Sequence, residues 1–433
     1  MNIKVYTPHL SNRLQYALNL VLKEVGEISF TIIQDQSLLS DTDLVINYSG
    51  TRIDNSFQIH PFGLLSEKDI QNQDIPFDYR KDKFLVSIFP TEFDDLGFDI
   101  FSAVFFIASR YEEYRKFEPD EHGRFQPKDS ILSKIGVLKR PIINIWVKEL
   151  KKLLESKWSI SLPSVRQFNI VNSIDVDNAW AFKNKGMART IGGIGKSLVK
   201  KGVGEFKERV AVVSSDGKDP YDTFEYLKGV QKEFNVESIY FFLVGNYQKP
   251  YDTNVPYDNN AFVELVKRIK SYAKVGVHPS YASYLNISKV AGEVARLNDI
   301  VADKITTSRQ HFLKLSIPES YRVLVDSGIK EDFTMGYAQE VGFRAGLCTP
   351  FTFFDLLQDK SLELLIHPFA YMDGTLNEYL KLTLEEAKET ITFLKENVQN
   401  VNGEFIGIWH NSTVNDLENW KGWREVFELG IRK

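Results

Sequence analysis

From Gln167 onward the chain alternates β-branched runs with amphipathic stretches, and this alternation restricts the possible folds more than any other feature. Strand-like runs fall at 168–174, 237–244, 274–277, 305–311, 342–347, 362–366 and 404–409. Helical stretches separate them at 221–234, 260–272, 288–303, 318–327 and 384–398. Repeated βα units imply a parallel sheet with right-handed crossovers. About seven strands in roughly 265 residues suit an α/β barrel better than an open sheet.

The preceding residues have a different rhythm. Strands are expected at 2–7, 28–33, 43–48 and 84–89, with an amphipathic helix over 12–25 that puts Leu14, Leu18, Val21, Leu22 and Val25 on one face. Further helices are expected over 98–114 and 140–157, and Pro119 to Phe125 reads as a loop. A chain of 433 residues is long for one core. The expected division is a smaller α/β domain over 1–160 and a barrel over 167–433, with the boundary near 159–165. A basic insertion at about 183–211 carries Lys183, Lys185, Arg189, Lys196, Lys200, Lys201, Lys207 and Arg209. It reads as a solvated helical hairpin or as an arm for an anionic glycan or headgroup.

Composition removes several classes. Hydrophobic residues make up 43% and charged residues 26%, as in folded soluble proteins. A net charge of −5 gives no nucleic-acid footprint. The longest apolar stretch, 100–108, is far short of the roughly 20 residues that span a bilayer. One cysteine, Cys348, leaves no intrachain disulfide, and the start at Met1 reads straight into a strand without an apolar leader. A cytoplasmic protein without a membrane span is expected; the oligomeric state is not legible. Among many aromatics, Trp180, Tyr281, Phe351 and Trp409 lie beside polar motifs and are candidates for stacking on sugars.

Chemistry concentrates where strands end. The run 168–174 stops in Asp175-Val176-Asp177, and carboxylates at the C-terminal end of a parallel strand are costly as core. Four of the seven histidines also follow predicted strands: His278, His311, His367 and His410. His9, His60 and His122 are expected in surface or structural roles. Imidazoles facing a carboxylate pair suit a divalent cation, Zn²⁺ above others, with one position open for water. Metal-assisted hydrolysis follows, with one carboxylate as base and His410 as acid. At a strand end Asp175 and Asp177 need not point the same way, so they can divide ligation and proton transfer.

These motifs resemble the polysaccharide deacetylases of the NodB-homology type, carbohydrate esterase family four. Ser173-Ile174-Asp175-Val176-Asp177 is similar to that family's Thr-Phe-Asp-Asp motif, and 237–245 to its second-strand signature. Val275-Gly276-Val277-His278-Pro279 stands in the place of the first metal-binding histidine, and Ile408-Trp409-His410-Asn411 resembles the last motif. The likeness spans about 168–412. It implies an irregular (β/α)7 barrel and hydrolytic N- or O-deacetylation of an acetylated glycan or sugar precursor. The strings Ser109 to Tyr114 and His122 to Phe125 resemble an uncharacterised domain that precedes such barrels.

The chain departs from the family pattern at two points. The family has a second histidine four residues after the first, and here that position is Ala282. The expected ligand set is therefore Asp177, His278 and His311, with Asp175 as base, and Arg309 or Arg344 orienting it. The second departure is Asp-Val-Asp in place of Asp-Asp. Two further readings stay open. One is a metal-free glycan-binding or assembly module. The other is a glycosidase pairing Asp175 with Asp332 or Asp373, which needs carboxyls about 5–9.5 Å apart.

Overall fold

The computed structural model describes residues 2–185, Val212 and 217–433, except 73, 74 and 93. Most of the basic insertion, from Arg189 to Arg209, lies outside the described residues. In the first part, β1 (Ile3–Tyr6), β2 (Phe30–Ile33), β3 (Val45–Tyr48) and β4 (Phe57–Ile59) pair in parallel in the order β2-β1-β3-β4. An antiparallel ribbon follows, β5 (Phe77–Tyr79) with β6 (Val86–Ile88). Helix α1 (Asn12–Leu18) starts at Ser11, whose hydroxyl accepts from the Leu14 amide, and runs on as a π-helical stretch to Val25. The helix expected over 98–114 is shorter, α2 (Ile100–Ala108), because Arg110 takes a left-handed conformation at φ 57°. Two more helices, α3 (Ile131–Lys134) and α4 (Ile142–Trp158), complete this part.

The second part is built on one sheet of nine strands. In chain order they are β7 (Asn169–Val176), β8 (Glu237–Phe242), β9 (Lys274–Val277), β10 (Thr307–Ser308), β11 (Glu331–Asp332), β12 (Phe351–Asp355), β13 (Lys360–Ile366), β14 (Tyr371–Met372) and β15 (Glu404–His410). The spatial order is β12-β13-β11-β10-β9-β8-β7-β15-β14, parallel throughout except for β12 against β13. Helices α5 (Phe224–Glu233), α6 (Asn260–Lys270), α7 (Ile287–Val301), α8 (Glu319–Asp326) and α9 (Leu384–Gln399) fall between strands, and α10 (Trp423–Ile431) ends the chain. Seven of the eight residues of β7 are buried, as befits a parallel strand covered on both faces.

No strand pairing among the described residues joins the ends of this sheet into a closed barrel. One feature partly bridges the gap. β13 and β14 run in the same direction with only residues 367–370 between them, too few for a crossover. They are therefore successive stretches of one bent strand, which pairs with β11 on one side and β15 on the other.

The run 342–347, expected as a strand, is irregular. Its apolar side chains are buried against the first part. The Phe343 amide donates to the Leu138 carbonyl, and the Ile143 amide to that of Gly346. A Cβ on Gly346 would lie 3.0 Å from Ile107 and 3.2 Å from Ile142. A short apolar run reads the same in a strand as in a seam between two layers. One continuous apolar core extends from Ile3 to Ile431, so the change of sheet near 160 is not a gap in packing.

Candidate active site

The two-residue period of β7 puts Val171, Ser173 and Asp175 on one face, and Asp177 continues that row just past the strand. β15 does the same with Ile406, Ile408 and His410. Val171, Ile406 and Ile408 join Ile239, Phe241, Phe333 and Phe369 in an apolar cluster on this face. Both rows thus run from apolar contacts at one end to charged groups at the C-terminal edge.

Two neighbouring strand ends bring in the next pair. Val277 pairs with Ser308, and the His311 amide donates to the Pro279 carbonyl at 3.1 Å, so the rings of His278 and His311 lie 5.0 Å apart. Their Nε2 atoms face Asp177 Oδ1 at 3.2 and 3.6 Å. Donor atoms of the three residues all lie within 4.8 Å of one another.

The other ring nitrogens fix the tautomers. His278 Nδ1 meets the Arg309 carbonyl, and His311 Nδ1 meets Asp252 Oδ1 at 3.1 Å. Both partners only accept, so each Nδ1 carries a hydrogen, and in the neutral ring the lone pair left on each Nε2 is the one turned toward Asp177. Asp177 Oδ1 is buried and makes no well-formed hydrogen bond. Two imidazole lone pairs and a carboxylate oxygen aimed at one point form a donor set that fits a divalent cation. Burial opposes charge on Asp177, yet His311, His278 and His410 hold its carboxyl well below the usual range. Burial also opposes charge on His311, while Asp177 and Asp252 push its pKa up to about 9.

Asp252 links the turn at Ala282 to His311. Its two oxygens accept from the Tyr281 and Ala282 amides at 2.8 and 2.9 Å. The turn where the family's second histidine would stand is thereby tied to the carboxylate that holds His311. Nothing in the sequence around Asp252 marks it for this role.

Asp175 Oδ1 accepts from Arg309 Nη1 at 2.8 Å, and its Oδ2 lies 3.9 Å from His278 Nε2. Arg309 is fully buried, donates to Ser173 Oγ and the Phe333 carbonyl, and stacks over Phe241 at 4.5 Å. On the opposite side His410 Nε2 stands 3.8 Å from Asp177 Oδ2. Its Nδ1 donates to Asp373, 2.9 Å from Oδ1 and 3.0 Å from Oδ2. Burial works against a charged His410, but Asp373 first and then Asp177 and Asp175 push its pKa up to about 10. A Met-Asp-Gly-Thr string suggests a turn, and Asp373 does accept from the Gly374 amide; the same carboxylate also anchors His410. Together these groups line a cleft of about 250 Å³, with Phe312, Tyr379 and Trp420 as its aromatic residues.

Several expectations are corrected. Arg344 is not beside Asp175. Its guanidinium is committed to Glu113 and the Gly336 carbonyl, because the irregular run 342–347 turns it toward the first part. Glu113 is buried there between Arg344 and Arg110. His367, grouped above with the histidines at strand ends, does not join the others. It stacks on Phe333 at 4.2 Å and bonds Glu404 at 2.9 Å, at the start of β15, the end remote from His410. Phe351 and Trp409 are fully buried and Trp180 nearly so, which rules out stacking on a sugar. Asp332 is tied to Ser308 and Thr334, and Asp373 to His410, so neither is a free partner for Asp175 in a glycosidase pair. Of the surface or structural roles expected for His122, the structure gives it the structural one, packed beside the cleft.

Residues 3–159 match a family of unknown function, DUF7033. No curated protein matches the chain. Among solved structures it is similar to a protein assigned as a polysaccharide deacetylase from Mycobacterium smegmatis, at 14% identity and TM-score 0.39, covering 62% of this chain and 85% of that one. Puue allantoinase is similar at 9% identity and TM-score 0.38, covering 62% and 84%. A polysaccharide deacetylase from Bacillus cereus is similar at 12% identity and TM-score 0.26, covering 60% and 88%. At these TM-scores the likeness carries no weight in the reading of the site.

Proposed function

We propose that this chain is a metal-dependent hydrolase that removes acetyl groups from an acetylated glycan or sugar precursor. Its second part would be an irregular (β/α)7 barrel with the bent β13–β14 strand as one stave, and residues 1–160 a distinct α/β domain. One observation carries the reading: His278 and His311, each with its Nδ1 hydrogen committed elsewhere, turn Nε2 onto the buried Asp177 Oδ1. When bound, a divalent cation, Zn²⁺ by this donor set, polarises the acetyl carbonyl and lowers the pKa of a water.

The rest falls to side chains. Asp175, held at Oδ1 by Arg309, keeps Oδ2 to take the proton of the attacking water. His410, oriented by Asp373 whose carboxylate favours the charged ring, delivers a proton from Nε2 to the departing sugar nitrogen or oxygen. The motif resemblance, with its order Asp175–Asp177, His278, His410, points to acetyl transfer to water. Cys348, buried and unpaired, supports a reducing, cytoplasmic setting, and no described helix is long and apolar enough to cross a membrane.

The alternative, an inactive module that binds or assembles glycans, rests on Ala282; His311 beside Asp177 weighs against it. Elemental analysis and acetate release test the choice. Purified protein should carry about one zinc per chain and release acetate from acetylated oligosaccharides, and Asp177→Ala should lose both. Absence of bound metal in the wild type defeats the hydrolase.

A further inference from the structure

One loop of the first part reaches the cleft. It turns on Asp120, whose Oδ1 accepts from the His122 and Arg124 amides. Arg124 is nine-tenths buried and held at two points: Nε donates to Asp120 Oδ2 at 2.7 Å, and Nη1 to the Phe312 carbonyl at 2.8 Å. Gln339 Nε2 adds a donor 3.3 Å from the same Asp120 oxygen. Nη2 has no partner among the described residues, and Arg124 lines the same cleft as Asp177, His311 and His410. Beside it, His122 lies 3.4 Å from the Tyr281 hydroxyl, with its ring 5.0 Å from that of Phe312. Phe312 has φ 60°, a conformation that a non-glycine residue keeps only where its surroundings hold it.

We propose that Arg124 is a substrate-binding residue and that the loop 119–125 forms a subsite of the cleft. Asp120 balances the guanidinium charge. Asp175, Asp177, Asp373 and Glu378 line the same space, so there is no surplus of positive charge for a polyanion. The free edge of Arg124 is a pre-positioned donor for an uncharged oxygen, a hydroxyl or acetamido carbonyl, on the sugar next to the one deacetylated. This rests on the hydrolase reading of the same site.

The purely structural role would be to pin Phe312, and through it the neighbouring His311. Calorimetry with the N-acetylglucosamine tetramer on the zinc-loaded full chain separates the two. Arg124→Ala and Arg124→Lys should keep the wild-type zinc content while the tetramer Kd rises at least tenfold. In acetate release KM should rise in step, with kcat within threefold of wild type. The lysine variant retains a cation for Asp120, so it carries the test if the alanine variant does not fold. Unchanged affinity, loss of zinc from the lysine variant, or no tetramer binding by the wild type overturns the subsite. Tetramer binding weakened by both variants, without acetate release from the wild type, keeps the subsite and removes the hydrolase.

Discussion

Asp252 and Asp373 each accept from a histidine Nδ1, and so set which nitrogen faces the cleft. They differ in what the oriented ring then does. Asp252→Asn loosens a ring that faces the candidate cation site; zinc affinity should fall about 10- to 100-fold, read by competition with a chelator. Asp373→Asn loosens the ring of His410, the proposed acid. In that variant kcat should fall about 10²- to 10⁴-fold with zinc content unchanged. Equal loss of zinc in both variants would contradict this division. Asp177, His278 and His410 were legible as chemistry because each stands where a strand ends. Asp252 was not, since one aspartate in a Tyr-Asp-Thr loop looks like any turn until a distant histidine docks on it. Arg309 and Arg344 could not be told apart, because each lies in a run expected as a strand and only the packing sends one to Asp175 and the other to Glu113.

Elements place these residues to within a hydrogen bond, and β15 is closely packed at Gly407. Gly407 pairs with Tyr371 of β14, and the Tyr371 ring occupies the space a Cβ on Gly407 would need. Gly430 on α10 makes room for the same hydroxyl. Gly407→Ala should cost about 1–3 kcal/mol by overpacking, measured by denaturant unfolding. Because Asp373 follows β14 and His410 ends β15, kcat should fall as well. A variant as stable and active as wild type would show that the ring has room to move. Most of the longer strands and amphipathic helices were legible to within a few residues, but β12 and α10 were not expected. Two-residue strands such as β10, β11 and β14 carry too few side chains for a period, and only pairing with neighbours defines them.

For the whole molecule, the seam between the two parts is the main structural fact. Arg110, Glu113 and Arg344 form a buried ion cluster across it, and Glu113→Gln should cost about 3–5 kcal/mol by leaving buried Arg344 without its anion and Arg110 with Glu112 alone. Burial opposes the Glu113 charge, but Arg344 and Arg110 hold its carboxyl below its ordinary value. Its stabilising contribution is thus complete above the pKa of an unfolded glutamate and lost as pH falls through the lower folded value. Melting temperature should drop on acidification toward pH 3 more steeply in wild type than in Glu113→Gln; parallel curves would exclude the cluster as the cause. Since a single apolar core spans both parts, residues 167–433 expressed alone should unfold with reduced cooperativity and bind a hydrophobic dye. A compact, cooperative fragment would contradict this.

The sequence by itself determined the parallel architecture and the residue types at its strand ends, because periodicity and the cost of burying charge are local properties. Tertiary structure alone decided which arginine meets Asp175, that Asp252 stands behind His311, and that Arg124 of the first part lines the cleft. Those facts depend on contacts between residues up to about 190 positions apart, set by packing that no window of sequence contains.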